Sequence, residues 1–380
     1  MRVAIVHDWL TGMRGGERVL EAMLELYPTA DIFTLVYAPG SVSEQIEARR
    51  ITTSFLQRLP RARTHWRHYL PLFPLAVERL DVADYDLVLS SSHCAAKAVR
   101  PGPGAVHVSY CHTPMRYVWD QYEAYFARGR ASTPVRLAMR LLAPRLRHWD
   151  RRTAGRVDSF VANSHNVAAR VRRTYRREAA VVYPPVDVAR FSPAYSREDF
   201  YLLVSALVPY KRVDLAVSAF AQDGRKLVIV GDGPEYVRLR REAPRNVTFT
   251  GRVADDEVAA LLGRCRAFVQ PGEEDFGIAS VEAQAAGAPV VAYAAGGALE
   301  TVIDAAHANG TGPTGVLFRP QTPDGLVRAL ERVESMRFDP AKLAEHARGF
   351  APDRFSAGFL AAVEAALERS GADTPCVSPR

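Results

Sequence analysis

The chain has 380 residues, a formal net charge of +7, and 48% apolar against 24% charged residues. That length exceeds one ordinary core and suits two α/β domains, and the composition is that of a soluble globular protein rather than a fibrous or disordered one. No run reaches the roughly 18 apolar residues of a membrane span, and Cys94, Cys111, Cys265 and Cys376 have neither CxxC nor metal-type spacing.

Met1-Arg2-Val3-Ala4-Ile5-Val6-His7 enters a strand pattern at once and leaves no room for a signal peptide, so a reduced, cytosolic protein without structural disulfides is expected. Strands follow over 31–36, 87–90, 106–110 and 159–162, and a helix over 17–26 follows the first strand. Residues 64–80 mix aromatic, basic and proline side chains, and 124–134 reads as a long loop. Tyr183-Pro184-Pro185-Val186-Asp187 is the best linker.

Beyond the linker the alternation is regular. A strand over 201–205 leads to a helix over 213–220, then a strand over 226–230 closed by the turn Gly231-Asp232-Gly233-Pro234. A helix over 235–242, a strand over 246–250 and a helix capped by Asp255-Asp256 come next. A strand over 265–270, a helix over 278–286 stopped by Gly287, and a strand over 289–293 complete the series. Short apolar runs alternating with helical patterns specify parallel sheets covered on both faces. After a helix ending near Arg369, residues 370–380 are expected to be a disordered tail. Two doubly wound domains predict a ligand in an interdomain cleft, at the carboxyl ends of the strands.

Of the 49 basic residues only four are lysine (Lys97, Lys211, Lys226 and Lys342), an arginine excess that a GC-rich genome explains. The positive sign favours phosphate-rich ligands and anionic membranes. No zinc-finger, RRM-like or basic-zipper pattern occurs, so no nucleic-acid partner is expected.

The densest chemistry lies in Glu274-Asp275-Phe276-Gly277-Ile278-Ala279-Ser280-Val281-Glu282, with Gly287-Ala288-Pro289-Val290-Val291 and the loop Ala295-Gly296-Gly297 downstream. Glu274 falls in the loop after a strand, and Glu282 in the helix that this loop opens. Backbone N–H groups of Phe276, Gly277 and Ile278 at the helix start can face a phosphate. A helix carboxylate such as Glu282 can accept from both hydroxyls of a ribose, as in a dinucleotide site, and Glu274 can bind sugar hydroxyls. The plain alternative is two solvated glutamates, and the glycine-rich exits around them argue against it.

Lys211, in Ser205-Ala206-Leu207-Val208-Pro209-Tyr210-Lys211-Arg212, lies between a strand and a helix, where a cation can neutralise a departing diphosphate. A wet helix-terminal lysine is the other reading. Gly12-Met13-Arg14-Gly15-Gly16-Glu17 follows the first strand, and adjacent Gly15 and Gly16 let backbone N–H groups approach a phosphate. It is neither GxGxxG nor a P-loop, so NAD and ATP are poorly supported. In Cys111-His112-Thr113-Pro114-Met115-Arg116-Tyr117-Val118-Trp119-Asp120, His112 ends a strand facing the expected cleft, although a lone histidine is more often structural. His93 is a weaker candidate of the same kind. Trp66-Arg67-His68-Tyr69-Leu70-Pro71-Leu72-Phe73 suits a lipid headgroup region, and equally a helix packed within the first domain.

The Glu274–Glu282 segment resembles the E-x7-E signature of the retaining GT-B glycosyltransferases of family 4, and the resemblance extends from the opening strand to Arg354-Phe355. It implies an α/β chain of two Rossmann-like domains, 1–186 on the acceptor side and 187–354 binding a nucleotide sugar, with a helix over about 355–369 packed back on the first. By that match Glu274 faces the donor sugar, Glu282 holds the nucleotide ribose, Lys211 meets the phosphates, and the Gly15-Gly16 loop closes over the diphosphate. The family's arginine five residues before the lysine is Ala206 here, with Arg212 offering a second charge. The His112 segment is similar to that of bacterial polysaccharide mannosyltransferases, in which His112 would contact the donor sugar while Arg116 and Trp119 shape the acceptor site. The implied reaction moves a hexose, mannose from GDP-mannose, with retention and without metal or cofactor. The implied acceptor is a polyprenyl-linked glycan or polysaccharide, with the enzyme peripheral on the inner face of the plasma membrane. A sugar-nucleotide epimerase-like enzyme and a non-catalytic nucleotide-sugar-binding protein remain alternatives.

Overall fold

The computed structural model describes residues 1–127, 131–306 and 312–371, so the tail expected over 370–380 lies, from 372 onward, outside the described residues. Each half is organised by its own sheet. In the first, β1 (Val3–His7), β2 (Asp31–Thr34), β3 (Ile51–Thr53), β4 (Leu87–Ser92), β5 (Val106–Cys111), β6 (Ser159–Ala162) and β7 (Ala179–Val181) are parallel, in the order β3-β2-β1-β4-β5-β6-β7. β1, β4 and β5 are buried along their whole length, the condition under which a parallel strand reads as a continuous run instead of alternating. In the second, β8 (Tyr201–Val204), β9 (Leu227–Val230), β10 (Val247–Gly251), β11 (Phe268–Gln270), β12 (Val290–Tyr293) and β13 (Gly315–Phe318) are parallel, in the order β10-β9-β8-β11-β12-β13.

Both sheets wind outward from their first strand and then return to its other side. Strand order therefore reverses between β1 and β4, and again between β8 and β11. Loops leaving the carboxyl ends of two such strands diverge, and the crevice between them is where open α/β sheets bind ligands.

The chain divides into two compact units, Met1–Pro185 with the chain from Asp353 onward, and Val186–Pro352. The helix Pro352–Ser370 buries Phe355, Phe359 and Val363 in the core of the first unit, with the Phe355 ring centroid 5.6 Å from that of Tyr110. In the second unit Tyr201, Phe220, Ile229, Val269, Val291 and Leu330 belong to one core.

Two expectations are corrected. Within the stretch read as a loop over 124–134, a helix Tyr122–Phe126 and the beginning of a 21-residue helix, Thr133–Thr153, are present. Pro134 sits in the first turn of the long helix, where its missing N–H removes no hydrogen bond. Pro144 interrupts the helical signal without ending the helix, because Met139, Ala143, Leu146 and Trp149 bury a continuous stripe around it. Second, the two aromatics offered to lipid are inside: Trp66 and Phe73 are buried, with ring centroids 5.9 and 6.1 Å from Trp9. The packed alternative holds for them. Among the described residues, no helix is long and apolar enough to cross a membrane.

Candidate active site

In the second unit, β8 runs into a single 3-10 turn, Pro209–Lys211, and then the helix Val213–Asp223. The turn delivers Lys211 to the reversal between β8 and β11, where its ammonium forms an ion pair with the Glu274 carboxylate. Both side chains remain partly open to solvent, at 16% and 21% exposure. A residue the sequence reading did not single out, Gly272, makes this approach feasible. A Cβ there would lie 2.7 Å from the backbone of Lys211, so any other side chain would push the two loops apart.

The loop carrying Glu274 is held from its other side. Gly297 N–H donates to the Glu274 carbonyl at 2.9 Å, and Glu274 bridges Gly296 in parallel. Gly277 then adopts φ +96 as the N-cap of the helix Ile278–Ala285, a conformation that L side chains rarely adopt. Phe276 is buried edge-on against Phe350 at 5.5 Å, so its side chain anchors the loop and leaves only its backbone for a ligand. Glu282 lies in that helix one turn beyond Ile278, and both are half-buried. Gln270, at the end of β11, accepts from the Ser280 hydroxyl at 2.6 Å and was also missed; a polar residue closing an apolar strand beside a reversal was the available signal. Arg212 is bound to Asp214 at 3.2 Å and to Gln321 at 3.3 Å, while Ala206 is exposed.

In the first unit the equivalent reversal gathers histidines. Parallel register sets His7 opposite Ser91, and Ser91 opposite Tyr110, which precedes His112 by two residues. His7 Nδ1 lies 3.1 Å from Ser91 Oγ, which lies 2.8 Å from His112 Nε2. Ser91 has one proton to donate, so it donates to one imidazole and accepts from the other. The glycine turn meets the same group, because Gly15–Leu26 is helical from its first glycine and a Cβ on Gly16 would lie 3.5 Å from His7 and 3.7 Å from His112. Glu17 adds a carboxylate 3.7 Å from His7. Burial pushes that carboxyl up, but contact with His7 outweighs it and holds Glu17 below its ordinary range.

His93 is anchored differently. Its Nδ1 lies 3.1 Å from Asp8, and its ring stands edge-on to Trp9 at 4.4 Å. The fully buried Asp8 carboxylate also accepts from the backbone N–H groups of His93, Cys94, Ala95 and Ala96 at 2.6–2.9 Å, which fixes the loop after β4. Arg116 carries its charge close enough to weaken protonation of both His93 and His112. Trp119 is placed elsewhere: its indole N–H donates to Asp150 at 2.8 Å on the Thr133–Thr153 helix, so it belongs to the packing around that helix. Among the described residues, no group of three His, Cys, Asp or Glu side chains could hold a metal ion.

Comparison with known proteins follows this division. The family profile described as Glycosyltransferase Family 4 matches residues 13–190, and that of Glycosyl transferases group 1 matches residues 188–350. The chain is a GT-B glycosyltransferase. An uncharacterized glycosyltransferase of Methanocaldococcus jannaschii is 30% identical over 176 residues, 44% of this chain, and the match spans only 47% of that relative. A GDP-mannose-dependent alpha-mannosyltransferase of Mycolicibacterium smegmatis is 29% identical over 328 residues, covering 80% of this chain and 82% of the relative. The crystal structure of Anabaena HepE in complex with UDP superposes with a TM-score of 0.65 at 20% identity, covering 98% of this chain and all of that one, and so shows the same fold.

Three histidines of this glycosyltransferase are held neutral by the fold. Burial, reinforced by His7 and Arg116, lowers His93 to about 3 and holds His112 well below the ordinary range. Burial lowers His107 to about 4; its Nε2 lies 2.9 Å from Ser90 Oγ. Unfolded, each titrates near 6.5, so between that pH and the folded values the unfolded chain binds more protons. Stability is therefore expected to fall as pH drops from about 7 to about 4.5, with His107→Gln lessening the slope. A melting temperature independent of pH across that range would contradict the desolvation of these rings.

Proposed function

We propose that this glycosyltransferase moves a hexose, with mannose from GDP-mannose as the donor, onto a hydroxyl of a lipid-linked or polysaccharide acceptor, with retention. The observation that carries this reading is the Lys211–Glu274 pair at the β8/β11 reversal, just before the start of the helix Ile278–Ala285. The choice of GDP-mannose is supported by the M. smegmatis relative, whose similarity extends over most of the chain.

The roles follow from charge. As the bond between the anomeric carbon and the diphosphate breaks, negative charge grows on the leaving phosphate, and Lys211 with the helix-start N–H groups offsets it. The acceptor oxygen bonds to the same face of that carbon, and its proton passes to the departing phosphate. Glu274 accepts from hexose hydroxyls and Glu282 from the ribose. His112 and the Gly15-Gly16 turn are assigned to the donor, and Arg116 to the acceptor side. With its N–H committed to Asp150, Trp119 stays in the packing around the Thr133–Thr153 helix and offers the acceptor no hydrogen bond.

Calorimetric titration with GDP and with UDP tests the nucleotide assignment. Glu282→Ala is expected to weaken nucleotide binding about 10- to 100-fold, the cost of a lost hydrogen bond to a charged group. Unchanged affinity for both nucleotides would overturn the ribose role, and tighter binding of UDP than GDP by the wild type would overturn the donor. Because Lys211 and backbone dipoles meet the phosphate charge, transfer from GDP-mannose is expected to persist in excess EDTA. Complete loss restored by magnesium or manganese is the opposing result.

A further inference from the structure

Most surface helices turn apolar side chains inward, but Thr133–Thr153 does so with only one of its two apolar faces. Met139, Ala143, Leu146 and Trp149 are buried, while Leu137 and Leu141 are each 61% exposed and Val135 is 44% exposed. At 3.6 residues per turn, Leu137, Leu141, Arg145, His148 and Arg152 share the outward side, so the leucines occupy its N-terminal half and basic residues its C-terminal half. Arg140 is exposed beside the leucines. The one acidic residue of the helix, Asp150, is fully buried and paired with Lys97 at 2.9 Å. The outward face is thus apolar and cationic, with no acid of the helix itself to neutralise it.

We propose that this face docks the enzyme on an anionic lipid bilayer, with Leu137 and Leu141 entering the headgroup boundary and Arg140, Arg145 and Arg152 meeting lipid phosphates. A helix of this kind lies in the plane of the interface, its leucines removed from water and its arginine stems extended to the charged layer. Charge decides between occupants. A second copy would bring a second face of the same sign, on a chain of net charge +7, whereas an anionic surface complements it. The proposal relocates the lipid contact from the buried Trp66 and Phe73. It builds on the lipid-linked acceptor reading for its purpose, but lipid binding is measured without donor or acceptor, so either can fail alone.

The test is co-sedimentation of the purified full chain with vesicles of equal parts phosphatidylglycerol and phosphatidylcholine, and with phosphatidylcholine alone, at low and high salt. The wild type should bind the anionic vesicles at low salt and be released by high salt. Leu137→Ser with Leu141→Ser should weaken binding about tenfold or more, and each of Arg140→Gln and Arg145→Gln about fivefold. All variants should keep the wild-type circular dichroism spectrum and melting temperature, which shows that they are folded. Failure of the wild type to bind anionic vesicles at low salt overturns the proposal, as does undiminished binding by the double leucine variant. A wild-type dimer that the double leucine variant dissolves in light scattering, without lipid, would assign the face to self-association and overturn it too.

Discussion

Lys211→Ala is expected to lower turnover about 10²- to 10³-fold, the range found when one preorganised donor to a developing oxyanion is removed. The effect should fall on kcat more than on stability. Lys211 meets the protein through its backbone, which packs on Gly272, and through its ammonium, which reaches Glu274 and lies 5.3 Å from the Tyr210 ring centroid. Truncation to alanine leaves the backbone contact in place and removes those of the ammonium, so the loop after β8 keeps its course. Steady-state kinetics with the donor saturating, together with a thermal melt, make the comparison. A folded variant retaining half of wild-type turnover would remove Lys211 from the chemistry. Arg212 is the residue placed to compensate, but its guanidinium is already engaged by Asp214 and Gln321, so little rescue is expected from it.

The second expectation separates binding from chemistry. Glu274 is an anionic partner of Lys211, and an arriving diphosphate would exchange one anion for another on the same ammonium. Glu274→Ala removes that competitor together with the proposed acceptor of hexose hydroxyls. GDP should therefore bind the variant at least as tightly as wild type, while turnover falls about 10- to 100-fold, as for loss of a hydrogen bond to a charged group. The double variant with Lys211→Ala should be far less impaired than the product of the two single effects, since both residues act on one event. Parallel losses of GDP affinity and turnover in Glu274→Ala would mean that the carboxylate supports the loop and does not face the sugar.

Much of this was legible in the residues themselves. Short apolar runs with β-branched residues specified parallel strands, because a strand covered on both faces has no polar side to alternate with. The glycine pair at Gly15-Gly16 and the interval from Glu274 to Glu282 are local features. A chain leaving a strand into a helix places its first turn and its second-turn carboxylate in a fixed relation, whatever surrounds them. The positions of Glu274 in a loop and Glu282 in the following helix therefore needed no tertiary structure.

Other features depended on which strands are neighbours. Lys211 and Glu274 meet because β11 returns to pair with β8 past β9 and β10, and His7, Ser91 and His112 meet because β4 lies between β1 and β5. Periodicity reports which way a side chain faces on its own element; it carries no information about sheet order, which is set by packing over the whole unit. The same limit applies to burial. Trp66 and Phe73, with basic neighbours, have the composition of a lipid-facing segment, and the fold makes them core by packing them with Trp9 in one buried cluster. Conversely Leu137 and Leu141 look like ordinary core positions, and are exposed because the one stripe that the fold covers runs through Met139, Ala143 and Leu146. Composition determined that this chain would bury a large apolar surface, but which members of it stay in water was decided by what else the tertiary structure had to pack against them.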